Sequence, residues 1–184
     1  MLTHKGTKKI ETPRLILRPF VMEDAPAMYR NWASDAEVTK FLTWPAHSSE
    51  AVSAMVLADW TEQYADPRYY QWAIVLRETE EPIGSIAAVN LDDSVEKTEI
   101  GYCIGRKWWH RGIMSEALKA VVDYFFEDVG MNRVEAKHDP RNPHSGGVMK
   151  KCGMTFEGTA RQDGRNNQGI CDLSRWAILR SEWK

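Results

Sequence analysis

One short stretch of this chain concentrates residues able to hold an anion. Arg106, Lys107, His110, Arg111 and Gly112 form a basic turn that runs straight into an apolar-striped segment. The first N–H groups of a helix have no partner within it, and they point with the positive end of its dipole at one spot. Gly112 lets a phosphate approach that spot with no Cβ in the way. No grouping of His, Cys, Asp and Glu has metal-ligand spacing, and neither G-x-x-x-x-G-K-[ST] nor G-x-G-x-x-G occurs. A small anionic ligand is therefore expected, without a metal and without nucleotide-hydrolysing or dinucleotide chemistry.

Such a turn needs an anchored helix behind it. Met114, Ala117, Leu118, Val121, Val122 and Phe125 supply one, recurring at the 3.6-residue period. Before it, Arg14–Arg18 reads as a strand. Glu23, Asp24 and Pro26 start a helix through Met28, Tyr29 and Trp32, and a short helix covers Asp35–Phe41. Ser48 or Ser49 caps a third, with Val52, Met55, Val56 and Trp60 on one side. Tyr69–Arg77, Ile83–Asn90 and Thr98–Ile104 read as three antiparallel strands joined by turns. After the main helix come a strand at Arg133–Lys137 and a helix capped by Asn142, with Pro143 at its first position. Gly146 and Gly147 should keep that helix short. Met154–Ala160 and Ile170–Leu179 close the chain as a hairpin around a polar loop, Gln162–Gly169. The order is that of an α/β protein, expected as a single domain over residues 1–184 with no repeat or linker.

Composition narrows the partners. A net charge of −2 over 184 residues argues against a protein that neutralises many nucleic-acid phosphates. The three cysteines make no C-x-x-C and suggest no disulfide framework. The charged opening, M-L-T-H-K-G-T-K-K, and the lack of an apolar run near ~20 residues point to a cytoplasmic chain without a membrane anchor. The eight Trp are expected mainly in the core, with two or three lining a substrate groove.

Trp109-His110-Arg111-Gly112-Ile113-Met114 resembles the Q/R-x-x-G-x-G/A loop of the GNAT superfamily of N-acetyltransferases. With the preceding E-I-G-Y it is similar to the branch containing the ribosomal-protein N-terminal acetyltransferases. The run Thr12–Pro19, the pair Asn142-Pro143-His144-Ser145 and Lys151-Cys152-Gly153-Met154, and Phe156-Glu157-Gly158-Thr159 resemble that branch in order and spacing, from about Ile10 to Leu179. The resemblance implies the GNAT acyl-CoA N-acyltransferase fold: a mixed, mostly antiparallel sheet, splayed at its centre between Thr98–Ile104 and Arg133–Lys137 and flanked by helices. It implies acetyl-CoA as co-substrate. The pantetheine arm would lie along Tyr102, Cys103 and Ile104. The pyrophosphate would sit on Trp109, His110, Arg111, Gly112, Ile113, Met114 and Ser115, and the thioester end near Asn142 and Ser145. Trp109 replaces the family's Gln/Arg, and His110 stands where Gly is common.

Acyl transfer to an amine needs an oxyanion donor, a base for the amine proton and help for the leaving thiolate. Ile104 N–H is the candidate donor. The superfamily's acid Tyr falls on Met149, which cannot donate a proton, so Ser145 is the candidate for the thiolate; the plainer reading has it bond only Asn142 or the helix end. Glu99 is the candidate base through water, the plainer reading being a solvated carboxylate. A Glu found in some members falls on Gly164, next to Asp163. His47 and His144 are further candidates because His titrates nearest neutral pH. The acceptor is expected at Thr43–His47, with Trp44 and His47 on one side and Tyr70 or Trp72 as the opposite wall. A primary amine, in particular a protein or peptide α-amine such as a ribosomal protein's, is the expected acceptor; small amines, or a CoA-binding module without catalysis, are the alternatives. Exposed aromatics would allow a homodimer.

Overall fold

The computed structural model describes residues 2–183. A two-residue edge strand, β1 (Ile10–Glu11), precedes β2 (Leu15–Arg18), β3 (Gln71–Leu76), β4 (Glu81–Asp92) and β5 (Lys97–Ile104) in an antiparallel meander. Short turns join β3 to β4 and β4 to β5, where Glu80 and Glu96 take left-handed conformations at φ 55° and 50°, while residues 19–70 carry the chain from β2 to β3 through its helices. Beyond β5 the order runs through β6 (Arg133–His138) to β8 (Gly169–Leu179) and β7 (Thr155–Asn166), giving one sheet of eight strands. This mixed sheet, with helices on its faces, is the expected fold.

Helix α1 (Ala25–Met28) continues as a wider turn over Tyr29–Ala33. Helix α2 (Ala36–Thr39) is shorter than its sequence suggests, with Asp35 accepting the Glu37 N–H at its start. Helix α3 is Glu50–Gln63, with Ser49 at its cap position. Helix α4 (Ile113–Tyr124) runs on to Val129 and stops at Gly130, φ 88°. Helix α5 is Pro143–Lys151. No helix among the described residues is long and apolar enough to cross a membrane.

Two apolar clusters sandwich the sheet. On one face the α4 stripe packs on Leu15, Leu17, Trp72, Ile74, Ile100 and Ile104. On the other, Ala73, Val75 and Cys103 meet Phe20, Met28, Trp32 and Leu57. Each fully buried Leu, Ile or Phe contributes roughly 1.5–3 kcal/mol, so α4 is the best-anchored helix and a firm mount for the turn before it.

Two expectations are corrected. Helix α3 buries Ser53 and Leu57, and Met55, expected on the inner side, is 73% exposed. Residues 162–169 are not a loop. β7 and β8 pair as far as Asn166↔Gly169, through register shifts at Phe156/Gly158 and Ala160/Gly164, leaving a two-residue turn at Asn167 and Gln168. The stretch is polar because both strands are largely exposed there.

Candidate active site

The sheet opens where β5 meets β6. The two strands pair in parallel only at Lys97↔Arg133, Thr98↔Val134 and Glu99↔Glu135, and beyond Glu99 they diverge. A cleft of about 950 Å³ fills the opening and is lined by residues from both faces of the sheet. Gly105 N–H donates to Ile83 O on β4 at 3.0 Å. Successive strand residues point to opposite edges, so Ile104 turns its N–H and C=O toward the opening. Its carbonyl accepts from Trp109 Nε1 at 2.8 Å.

On the α4 side, the basic turn wraps the cleft mouth. His110 and Gly112 are left-handed, at φ 59° and 70°, and α4 begins at Ile113. None of the main-chain N–H groups from His110 to Ser115 donates to an acceptor among the described residues. Consecutive unpaired N–H groups of this kind form an anion cradle. A Cβ built on Gly112 would meet only Arg14 Nη2, at 3.7 Å, so the approach is open. The residues therefore fit a pyrophosphate. A clamp holds the turn from behind. Glu116 accepts from Thr12 Oγ1 (2.6 Å), Arg14 N (2.9 Å) and Arg14 Nε (2.6 Å), while Arg14 Nη1 donates to Arg111 O at 2.9 Å. Burial pushes the Glu116 carboxyl up, but these bonds outweigh it and hold the group below its ordinary range.

The N-terminus of α5 forms the facing wall. Asn142 stands at the cap position, yet its side chain accepts no main-chain N–H as a capping residue's would; instead its Nδ2 donates to Ser145 Oγ at 3.1 Å. The Tyr102 phenol reaches across from β5 to the Ser145 carbonyl at 3.0 Å, and burial keeps it protonated. Gly146 is required for space: a Cβ there would sit 2.7 Å from His138 Nε2. Met149 is buried in the core, away from any proton-transfer role. His144 and His110 both line the cleft, with ring centroids 4.6 Å apart.

On the opposite face lies a second chamber. Its floor is the row Ser85, Ala87, Gly101 and Cys103, and Trp44, Trp60 and Phe41 stand over it. Glu99 lies at its edge, with Oε2 accepting from Lys137 Nζ at 2.7 Å and Oε1 without a partner among the described residues. Asp139, nearly fully buried, is held down to about 2 by hydrogen bonds from Arg141, against the opposing effect of burial. The rim is stapled shut on one side. Asn167 Nδ2 donates to Thr39 O (2.8 Å) and Trp44 O (2.7 Å), and Asn167 N to Leu42 O (3.1 Å).

Four sequence candidates fall outside this cleft. Tyr70 and Trp72 are 1% and 0% exposed and pack edge-on against Tyr124 and Phe125 under α4, because their strand presents them to the other face. His47 is buried behind Trp44, bonded to Ser53 Oγ at 2.8 Å, and burial lowers its pKa. Asp163 pairs with Arg175 at 2.5 Å on the outer side of the hairpin. Sequence reasoning missed Gln71, Asp139 and Asn167. Gln71 sits between two residues chosen for their rings, Asp139 lies in the short link between a strand and a helix, and Asn167 acts through a hairpin turn read as part of a loop.

A family model described as "Acetyltransferase (GNAT) domain" matches residues 14–155. An uncharacterized N-acetyltransferase of Bacillus subtilis (strain 168), YoaA, is 31% identical over 171 residues, covering 93% of this chain and 96% of that protein. The [ribosomal protein uS5]-alanine N-acetyltransferase of Escherichia coli (strain K12) is 37% identical over 62 residues, 34% of this chain and 32% of its own length. Among solved structures, a ribosomal L7/L12 alpha-N-protein acetyltransferase in complex with coenzyme A superposes with TM-score 0.83, covering 94% of this chain and 98% of that one. At 19% identity that likeness concerns the fold.

Proposed function

The chain belongs to the GNAT family of N-acetyltransferases, and on that premise we propose that it transfers the acetyl group of acetyl-CoA to the α-amine of a peptide or protein N-terminus. The observation that carries the choice of acceptor is the stapled rim. With Asn167 tied to Thr39, Leu42 and Trp44, an acceptor enters the second chamber end-first. The uS5-alanine enzyme, similar over 62 residues, acts on a protein by its name.

Amine chemistry agrees. An α-amine titrates near 8, so roughly a tenth is neutral at pH 7, whereas a Lys amine near 10.4 is neutral about one time in 2,500. On this reading the N–H groups from His110 to Ser115 hold the pyrophosphate and Ile104 N–H receives the developing oxyanion. Ser145 accepts from Asn142, which leaves its own O–H free to donate a hydrogen bond to the departing thiolate. Glu99 Oε1 takes the amine proton through a water. No Tyr acid is needed.

Competition among an N-terminally free peptide, its N-blocked Lys-containing counterpart and spermidine tests the acceptor. The free peptide should be consumed first. Preference for spermidine would make this a small-amine enzyme, and no turnover of any of the three would leave a CoA-binding module.

A further inference from the structure

Gln71 lies between the two aromatics that face α4. Ala73 and Val75, its alternates on β3, face the second chamber's side of the sheet, and so does Gln71. The residue is 7% exposed and lines the cleft. Its main chain is fully engaged: N–H donates to Thr7 Oγ1 at 2.9 Å and C=O accepts from Tyr64 Oη at 2.8 Å. Its carboxamide has no hydrogen-bond partner among the described residues. No fully buried side-chain N or O among them is left unpartnered, so the amide atoms still touch the space of the cleft. A polar group more than nine-tenths withdrawn from water, with apolar Trp60 and Val38 among the other lining residues, is costly unless something pairs with it.

Register says how far it stands from the chemistry. Gln71, Ala87 and Gly101 form one row across β3, β4 and β5. From Ile104 N–H, Gln71 stands two strand spacings across the sheet and three residues along it, about 14 Å in all. Its side chain rises from the chamber floor, so an acceptor laid along that floor with its amine at the opening brings a peptide group, and not the amine, to the carboxamide. Ala87 keeps the floor low beside Gln71, while the Val89 side chain lies over Gly101. A carboxamide donates and accepts at once, and its natural partner is another amide.

We propose that Gln71 is a specificity-determining residue of the acceptor site, pairing with the first peptide group of the incoming chain. This rests on the α-amine reading above, and the test separates the two. The acceptors are a short peptide with a free N-terminus and the same peptide with its first amide replaced by an ester, which lacks the N–H. kcat/KM for both is measured on the parent and on Gln71→Met, a substitution of similar volume. The parent should favour the amide by about 10-fold, as loss of one buried hydrogen bond implies. In Gln71→Met the preference should fall to within about 2-fold, with melting temperature and affinity for acetyl-CoA unchanged. Dividing one ratio by the other cancels the difference in amine basicity between the two acceptors. An equal preference in both proteins would overturn the role of Gln71 and leave the α-amine reading standing. Failure to turn over either peptide, with another amine acetylated, would overturn both.

Discussion

Ser145 is held from two directions, its hydroxyl by Asn142 and its carbonyl by Tyr102. A hydroxyl so fixed can stabilise charge that appears only as the thioester breaks, and this predicts an effect on turnover more than on binding. Ser145→Ala should lower kcat by about ten- to a hundredfold, the range for a hydrogen bond to a charged group, with little change in KM for acetyl-CoA. Equal turnover in the two proteins would reduce Ser145 to a helix-end residue. At this scale the sequence was readable at Gly112, where a basic turn meets a striped helix, and at Ser145 through the family resemblance that its motif carries. It was not readable where strand phase decided. Every residue of β3 is buried, so no polar alternation marks its faces, and nothing in the sequence assigns Gln71 and its ring-bearing neighbours to opposite sides.

Among the elements, β2 and α4 are joined through the Arg14–Glu116 clamp, which steadies the turn's Arg111 carbonyl. The sign of its pH dependence follows from the lowered Glu116 pKa. A carboxylate whose folded pKa lies below its unfolded value stabilises the fold above the unfolded value, near pH 4.3, and this stabilisation is lost as pH falls through the folded one. Glu116→Gln should therefore be less stable than the parent at pH 7, by about 1–2 kcal/mol, and the gap should close in acid. Denaturant midpoints at pH 7 and pH 3 measure it, and a gap that persists at pH 3 would show that charge is not what the clamp uses. The apolar stripe of α4 was legible because one side of the helix is core and the other solvent. Helix α3 misled because polar Ser53 faces inward, where its hydroxyl meets His47, while Met55 faces water. The hairpin tip was mistaken for a loop because its ladder rests on main-chain pairing and carries few apolar side chains.

For the whole molecule, ligand binding and stability are linked. Acetyl-CoA at a hundred times its dissociation constant should stabilise the fold by about 2.7 kcal/mol, a rise in Tm of about 5–10 °C for a chain of this size. Gly112→Val puts a branched side chain into the cradle at a left-handed φ of 70°, so the free protein should itself melt lower. The informative quantity is the shift on adding ligand, which should vanish; an undiminished shift would put the phosphates elsewhere. The cleft that this turn guards pierces the sheet, and a passage with a door on each face lets two visitors be present together. Donor and acceptor need not take turns on one surface, and the acetyl group never has to be parked on the protein between them. On the proposed reading Cys103, which borders the passage with its thiol pushed up by burial and paired with Ser85 Oγ at 3.5 Å, is lining and not a carrier.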